Sequence, residues 1–267
     1  MSATAIFRRA WEDLWRNPGV FNLVFWSLML ALGVDYVFET RLAPLLPAAL
    51  TDPRRWLVAP PTDLWRHLAP GTALRFGLFL ATTLFVVTPF RVAGLYGGAA
   101  ELIRGRSPRW LWFQFFTTGW RRFWRGLETT AAGVLLGLAL VLVLAAFSVL
   151  GTVWNVLGVA LLLVWVALVL WAVGLGLVGL GALMAADRRP LELLGEAVGW
   201  ALRHRGLVFG LGATFAALLV AVFLLVAALA AVPLVGPVAG VVGLWLLTGF
   251  GAVLPTTAYR ETVERGV

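Results

Sequence analysis

From residue 129 to residue 185 the chain carries no charged side chain at all. About 20 consecutive apolar residues cross the hydrocarbon core of a bilayer as a helix, so this run is too long for one crossing and is expected to fold back on itself. The turn "GTVWNVLG" marks where it does so. A chain with this segment is constrained to a membrane, and the composition agrees. Hydrophobic residues make up 61% of the 267 and the mean hydropathy is +0.92, against about 45–50% apolar residues in a soluble domain.

Reading apolar runs along the whole sequence predicts six spans, at roughly 20–38, 74–97, 129–150, 159–185, 207–232 and 238–258. The first follows Arg8, Arg9 and Arg16, a pattern shared with secretory leaders. No small-residue cleavage site follows it, so it reads as an uncleaved span. All 21 basic residues are arginine, and the net charge is +8. Segments 1–19, 98–128, 186–206 and 259–267 hold 3, 6, 4 and 2 of them. By the positive-inside rule these segments face the cytoplasm, which puts both termini inside. The loop 39–73, with Trp56 and Trp65, becomes a short outer cap.

The stretch "RSPRWLWFQFFTTGWRRFWRGLE" (106–128) interleaves aromatics with arginine. Ser107 is a candidate N-cap and Pro108 a first helical residue. Helical spacing then collects Phe113, Phe116, Trp120, Phe123, Trp124 and Leu127 on one face. Gln114, Thr117, Thr118, Arg121, Arg122 and Arg125 fall on the other. That pattern predicts a helix lying in the inner interface with its arginines toward anionic headgroups. A nucleic-acid platform needs accessible aromatics, and here a span begins directly after them, so nucleic acid is not an expected partner.

The pattern recurs. "AWEDLWRNPGVF", "GWRRFWRGLETT" and "GWALRHRGLVFG" align Trp11, Trp120 and Trp200, with Arg16, Arg125 and Arg205 five residues later. These six residues are the expected interfacial anchors. The architecture expected is an all-α integral membrane protein, one domain over 1–267. Six transmembrane helices form three pseudo-repeated hairpins (about 1–105, 106–187, 188–267), each preceded by a cytoplasmic amphipathic helix.

This layout resembles a broad bacterial group of six-span proteins of unassigned function, which includes the membrane domain preceding some glycerophosphodiester phosphodiesterases. The resemblance is carried by "FRRAWEDLWRNPGVF", "LYGGAAELIRGRSPRW", "EAVGWALRHRG" and "TAYRETVERG" and covers nearly the whole chain. It implies a membrane-embedded bundle and brings no catalytic residue.

The residues themselves offer little chemistry. There is no cysteine, and the two histidines, His67 and His204, fall on opposite sides of the membrane. No metal site, cofactor or catalytic set is expected. Ser27 and Ser148 read as lone hydroxyls bonded to their own helices. The run "GLGLVGLG" (174–181) lies inside a span and reads as a small-residue packing face. Arg91 stands out. It follows Pro89 in "TPFRVAGLYGG", near the predicted inner end of span two, with Tyr96 beyond it. Arg91, Pro89 and Tyr96 form a candidate gate or anionic-headgroup site. The function expected is a non-enzymatic accessory or scaffold protein of the bacterial cytoplasmic membrane. Its partners are the phospholipid bilayer with its anionic headgroups, or another membrane protein. The alternative is a small transporter or lipid-handling permease. A cleft beside Arg91 bears on that choice.

Overall fold

The computed structural model describes residues 2–45, 70–105, 113–151, 155–186, 188, 190–230 and 235–264. The expected outer cap with Trp56, Trp65 and His67, the expected Ser107–Pro108 start signal and the two short turns between later spans lie outside these. The described residues are helical, with no strand among them. Six of the helices are long and apolar enough to cross a membrane. The protein is a multi-pass membrane protein.

Helix α1 runs over Ala3–Arg16, with the Ser2 hydroxyl accepting from the Ala5 amide at its start. Span helix α2 (Gly19–Val37) follows after Asn17 and Pro18 and continues as a π-turn to Leu42. The second span, α3, is a long helix over Pro70–Ile103. A short helix, α4 (Gln114–Arg121), leads into α5 (Phe123–Gly151), and α6 (Asn155–Ala185) returns. Then α7 (Pro190–Arg203) precedes α8 (Arg205–Ala230) and α9 (Val235–Tyr259), whose last turn is a π-turn over Arg260–Glu264.

The packed core sits at one end of this bundle. Apart from Leu42, every buried side chain of the spans falls within 20–27, 89–102, 172–185, 208–211 or 250–262. These segments adjoin α1, α4 and α7, at the arginine-rich end. Toward the other end the spans are bare. The helix Phe123–Val149 has no buried residue in its most apolar window, and Leu135, Leu163, Phe223 and Val241 are all exposed. Contacts there join neighbours in sequence. Phe38 meets Phe79 at 5.7 Å, the Trp165 indole donates to the Leu140 carbonyl at 3.0 Å, and Gly243 faces Val222 and Val226. Splayed ends are tolerable in lipid because acyl chains are as apolar as leucine, so the hydrophobic effect does not drive spans together.

What closes the arginine-rich end is close backbone approach and hydrogen bonding. A β-carbon on Gly126 of α5 would lie 2.1 Å from the carbonyl oxygen of Pro89, and one on Gly181 of α6 would lie 2.0 Å from that of Pro255. Only glycine allows either approach. The last carbonyls of α6 lack intrahelical partners and are taken up by arginines. Arg122 donates to Met184, Arg104 to Ala185, and Arg125 to Leu183 and Ala186. A guanidinium at a helix C-terminus also complements the helix dipole.

Candidate functional site

The second span is where the helix departs from regularity. Pro89 has no N–H to give its own helix, and the turn before it, Thr83–Val87, widens into a π-turn in which the Thr88 amide reaches the Thr83 carbonyl. A second π-turn covers Ala93–Gly97. Between them a five-residue α segment, Thr88–Val92, carries Arg91. Such π-turns inside helices occur frequently at functional sites.

The helix that carries Arg91 runs further than expected. The sequence ends span two at 97, which puts Arg91 near the inner interface. The helix instead continues to Ile103, about 18 Å past Arg91 at roughly 1.5 Å per residue. The helix runs on because Glu101 is satisfied within the protein. It lies 3.3 Å from Arg122 and 3.4 Å from the Thr118 hydroxyl, and it pairs with Arg121.

The Arg91 guanidinium donates through Nε to the Ser27 hydroxyl at 3.0 Å. Ser27 is fully buried and serves α3 instead of its own helix. Ser148 does bond its own helix, to the Ala145 carbonyl. Among the described residues no carboxylate pairs with Arg91. A cavity of about 430 Å³ opens beside it, between α2, α3, α8 and α9. Its polar surface comes from Ser27, Thr88, Arg91, Tyr96 and Thr248. Its walls are apolar, from Phe215 and Leu219 of α8 and Leu244 and Leu247 of α9. Pro89 is buried and holds the backbone against α5 rather than lining the cavity. Two more cavities, of about 520 and 480 Å³, lie under Phe7 and Trp11 of α1 and beside Leu194 of α7; neither is lined by a charged residue.

The six anchor residues occupy unlike places. Trp11 is 46% exposed and Trp120 79%, while Trp200 is 5% exposed and stacks on His204 at 4.7 Å. Trp200 is therefore buried in protein. Arg16 is exposed beside Glu12 at 3.8 Å, and Arg205 donates back to the Leu202 carbonyl at 3.0 Å. Arg125, expected to meet headgroups, is turned onto the carbonyls that end α6. Of the polar face of 114–125, read as turned to headgroups, Thr117 and Arg121 stay exposed and the rest is drawn inward. Gln114, Thr118 and Arg122 are buried against α3, while Phe113, Trp120 and Trp124 point away from the protein.

Sequence reasoning also passed over a buried acid cluster. Asp13 accepts from the Thr257 hydroxyl at 2.8 Å and from Arg260 at 2.9 Å, and Glu261 lies 3.0 Å from Arg9. The signal was present: Asp13 shares a helical face with Ile6, Ala10 and Leu14, all fully buried.

Among the described residues no group of three or more His, Cys, Asp or Glu side chains is placed to hold a metal ion. What the cavity can do is hold an anion. Comparison of the chain with family models, with curated proteins and with solved structures finds no match, so the function is argued from these side chains.

Proposed function

We propose that this is a non-enzymatic protein of the bacterial cytoplasmic membrane, with both termini cytoplasmic, that takes the headgroup of an anionic amphiphile into the Arg91 cavity. This is the lipid-handling permease reading. One observation carries it: a guanidinium of the second span that lines a cavity between four spans and whose only hydrogen-bond partner among the described residues is a neutral serine. Ionisable side chains within transmembrane segments are costly unless paired, so an arginine facing this cavity without a carboxylate calls for an anionic ligand. The bracketing π-turns support the reading, since π-turns inside helices occur frequently at functional sites. The weight of arginine on segments 1–19, 98–128, 186–206 and 259–267 supports the orientation.

The threefold architecture, with units at about 1–105, 106–187 and 188–267, belongs to this proposal, as does membership of the six-span group. It is supported by a cyclic contact pattern. Each short helix packs on the return span of the preceding unit: α4 on α3, α7 on α6, α1 on α9. Each entering span does the same: α5 on α3, α8 on α6, α2 on α9.

The scaffold or accessory-subunit reading has its own support. Trp11, Trp15, Trp120 and Trp124 are exposed at the arginine-rich end, where a partner or the headgroup layer would meet them. Extraction from native membranes into lipid nanodiscs, followed by mass spectrometry, separates the two. The lipid-handling reading expects the chain alone with an enriched anionic lipid. A stoichiometric protein partner without lipid enrichment would displace it in favour of the accessory subunit.

A further inference from the structure

We propose that the Arg91 cavity selects a lipid with a single negative charge and an uncharged, hydroxyl-bearing headgroup, admitted from the splayed side of the bundle. The inference rests on the lipid-handling reading and specifies its ligand.

Charge sets the first limit. The cavity offers one guanidinium, and no Asp or Glu is among its described lining residues. A zwitterionic headgroup would bring an ammonium with no carboxylate to meet it. A phosphate monoester or polyphosphate would bring more negative charge than one arginine balances. Desolvated charges without partners are strongly disfavoured, so a monoanionic phosphodiester or a carboxylate fits best.

Hydroxyls set the second limit. Thr88 and Tyr96 line the cavity, and their hydroxyls have no partner among the described residues. Ser27 accepts from Arg91 and so keeps its proton to donate. Thr248 donates to the Leu244 carbonyl at 2.7 Å and keeps lone pairs to accept. A fatty-acid carboxylate would satisfy Arg91 and leave most of these unused. A polyol headgroup on a phosphodiester can both donate to Thr248 and accept from Tyr96, Thr88 and Ser27. Polar groups enclosed without hydrogen bonds weaken binding.

Access sets the third. At the arginine-rich end, Arg104, just past α3, ties to the Ala185 carbonyl of α6 and to Glu264 beyond α9. Asp13–Arg260 and Glu101–Arg122 pair around it. On the other side the cavity wall of Leu219 and Leu244 runs into the exposed Val220, Phe223 and Val241. A headgroup with its chains still in the bilayer can slide in between spans there, and a soluble anion from the arginine-rich side meets a closed end.

The test is native mass spectrometry of the full chain, delipidated in detergent. It is titrated separately with phosphatidylglycerol, phosphatidylethanolamine, phosphatidic acid, palmitate and soluble glycerophosphoglycerol. The proposal expects one phosphatidylglycerol per chain, held at least tenfold more tightly than the others. Arg91→Gln should abolish the preference, Arg91→Lys should retain part of it, and Tyr96→Phe should weaken binding several-fold. Equal binding of phosphatidic acid or palmitate, or no effect of Tyr96→Phe, overturns the headgroup assignment while the Arg91 dependence keeps the lipid reading. Equal binding of the soluble glycerophosphoglycerol makes the ligand a solute. If Arg91→Gln elutes as a folded monodisperse species and retains every lipid as the parent does, the lipid-handling reading itself fails.

Discussion

Adding one carbon to Gly126 tests whether the backbone that carries Arg91 is held as described. A β-carbon there would lie 2.1 Å from the Pro89 carbonyl oxygen and 3.0 Å from the Ala93 β-carbon. Both neighbours are on α3, and the nearer atom is backbone, so no side chain can swing aside and the two spans must separate. Overpacking of this kind costs about 1–3 kcal/mol, and alanine's helix propensity over glycine returns up to about 1 kcal/mol. Taking values near the middle of both ranges, the net expectation for Gly126→Ala is a loss of about 1–2 kcal/mol. At roughly 2–4 °C per kcal/mol, the thermal midpoint should fall by about 2–8 °C. Gly133, further along the same helix, has nothing within 4 Å of its would-be β-carbon, so Gly133→Ala should leave the midpoint unchanged or raise it by up to about 4 °C. Tryptophan fluorescence of the detergent-solubilised chain during heating reads both. If Gly126→Ala is as stable as the parent, or if the two variants fall alike, the close approach of α5 to Pro89 is wrong.

Other consequences are as direct. Asp13→Ala removes the carboxylate from a largely buried pair with Arg260 and should cost about 3 kcal/mol or more, read as a lower denaturation midpoint. Arg121 and Arg122 both reach Glu101, but their side chains are 64% and 10% exposed. Arg121→Ala should therefore cost less than about 1 kcal/mol, and Arg122→Ala several times more; equal losses would contradict the packing of α4. With fluorine-labelled tryptophan in bilayers carrying paramagnetic lipid, the Trp120 resonance should broaden and the Trp200 resonance stay sharp. The reverse would mean that Trp200 faces lipid.

The spans were legible because a bilayer asks only for length and apolarity. The 159–185 run and the helix Gly158–Ala185 nearly coincide. The small-residue run 174–181 was legible for a similar reason: Gly174 and Gly181 are where the carbonyls of Val208 and Pro255 come in. Partners contributed from elsewhere in the chain were not legible. Span two was read as ending at 97, because nothing local shows that Arg121, Arg122 and Thr118 would enclose Glu101. Arg122 and Arg125 read as headgroup-facing for want of any sign that α6 ends beside them. Trp200 matches Trp120 in local sequence, yet one is buried and the other exposed. Asp13 was the avoidable omission, because an acid on an otherwise apolar stripe is visible without a structure.

The absence of native cysteine makes the central claim open to a clean probe. Thr248→Cys places a thiol in the wall of the Arg91 cavity. In the delipidated, detergent-solubilised chain, an anionic and a cationic methanethiosulfonate are compared, each normalised to its rate with a free thiol in solution. An unpaired Arg91 in an accessible cavity predicts that the anionic reagent is favoured by about tenfold, equivalent to roughly 1.4 kcal/mol, and that Arg91→Gln removes the preference. No reaction with either reagent, or a preference for the cation, would mean that the cavity is not an anion site.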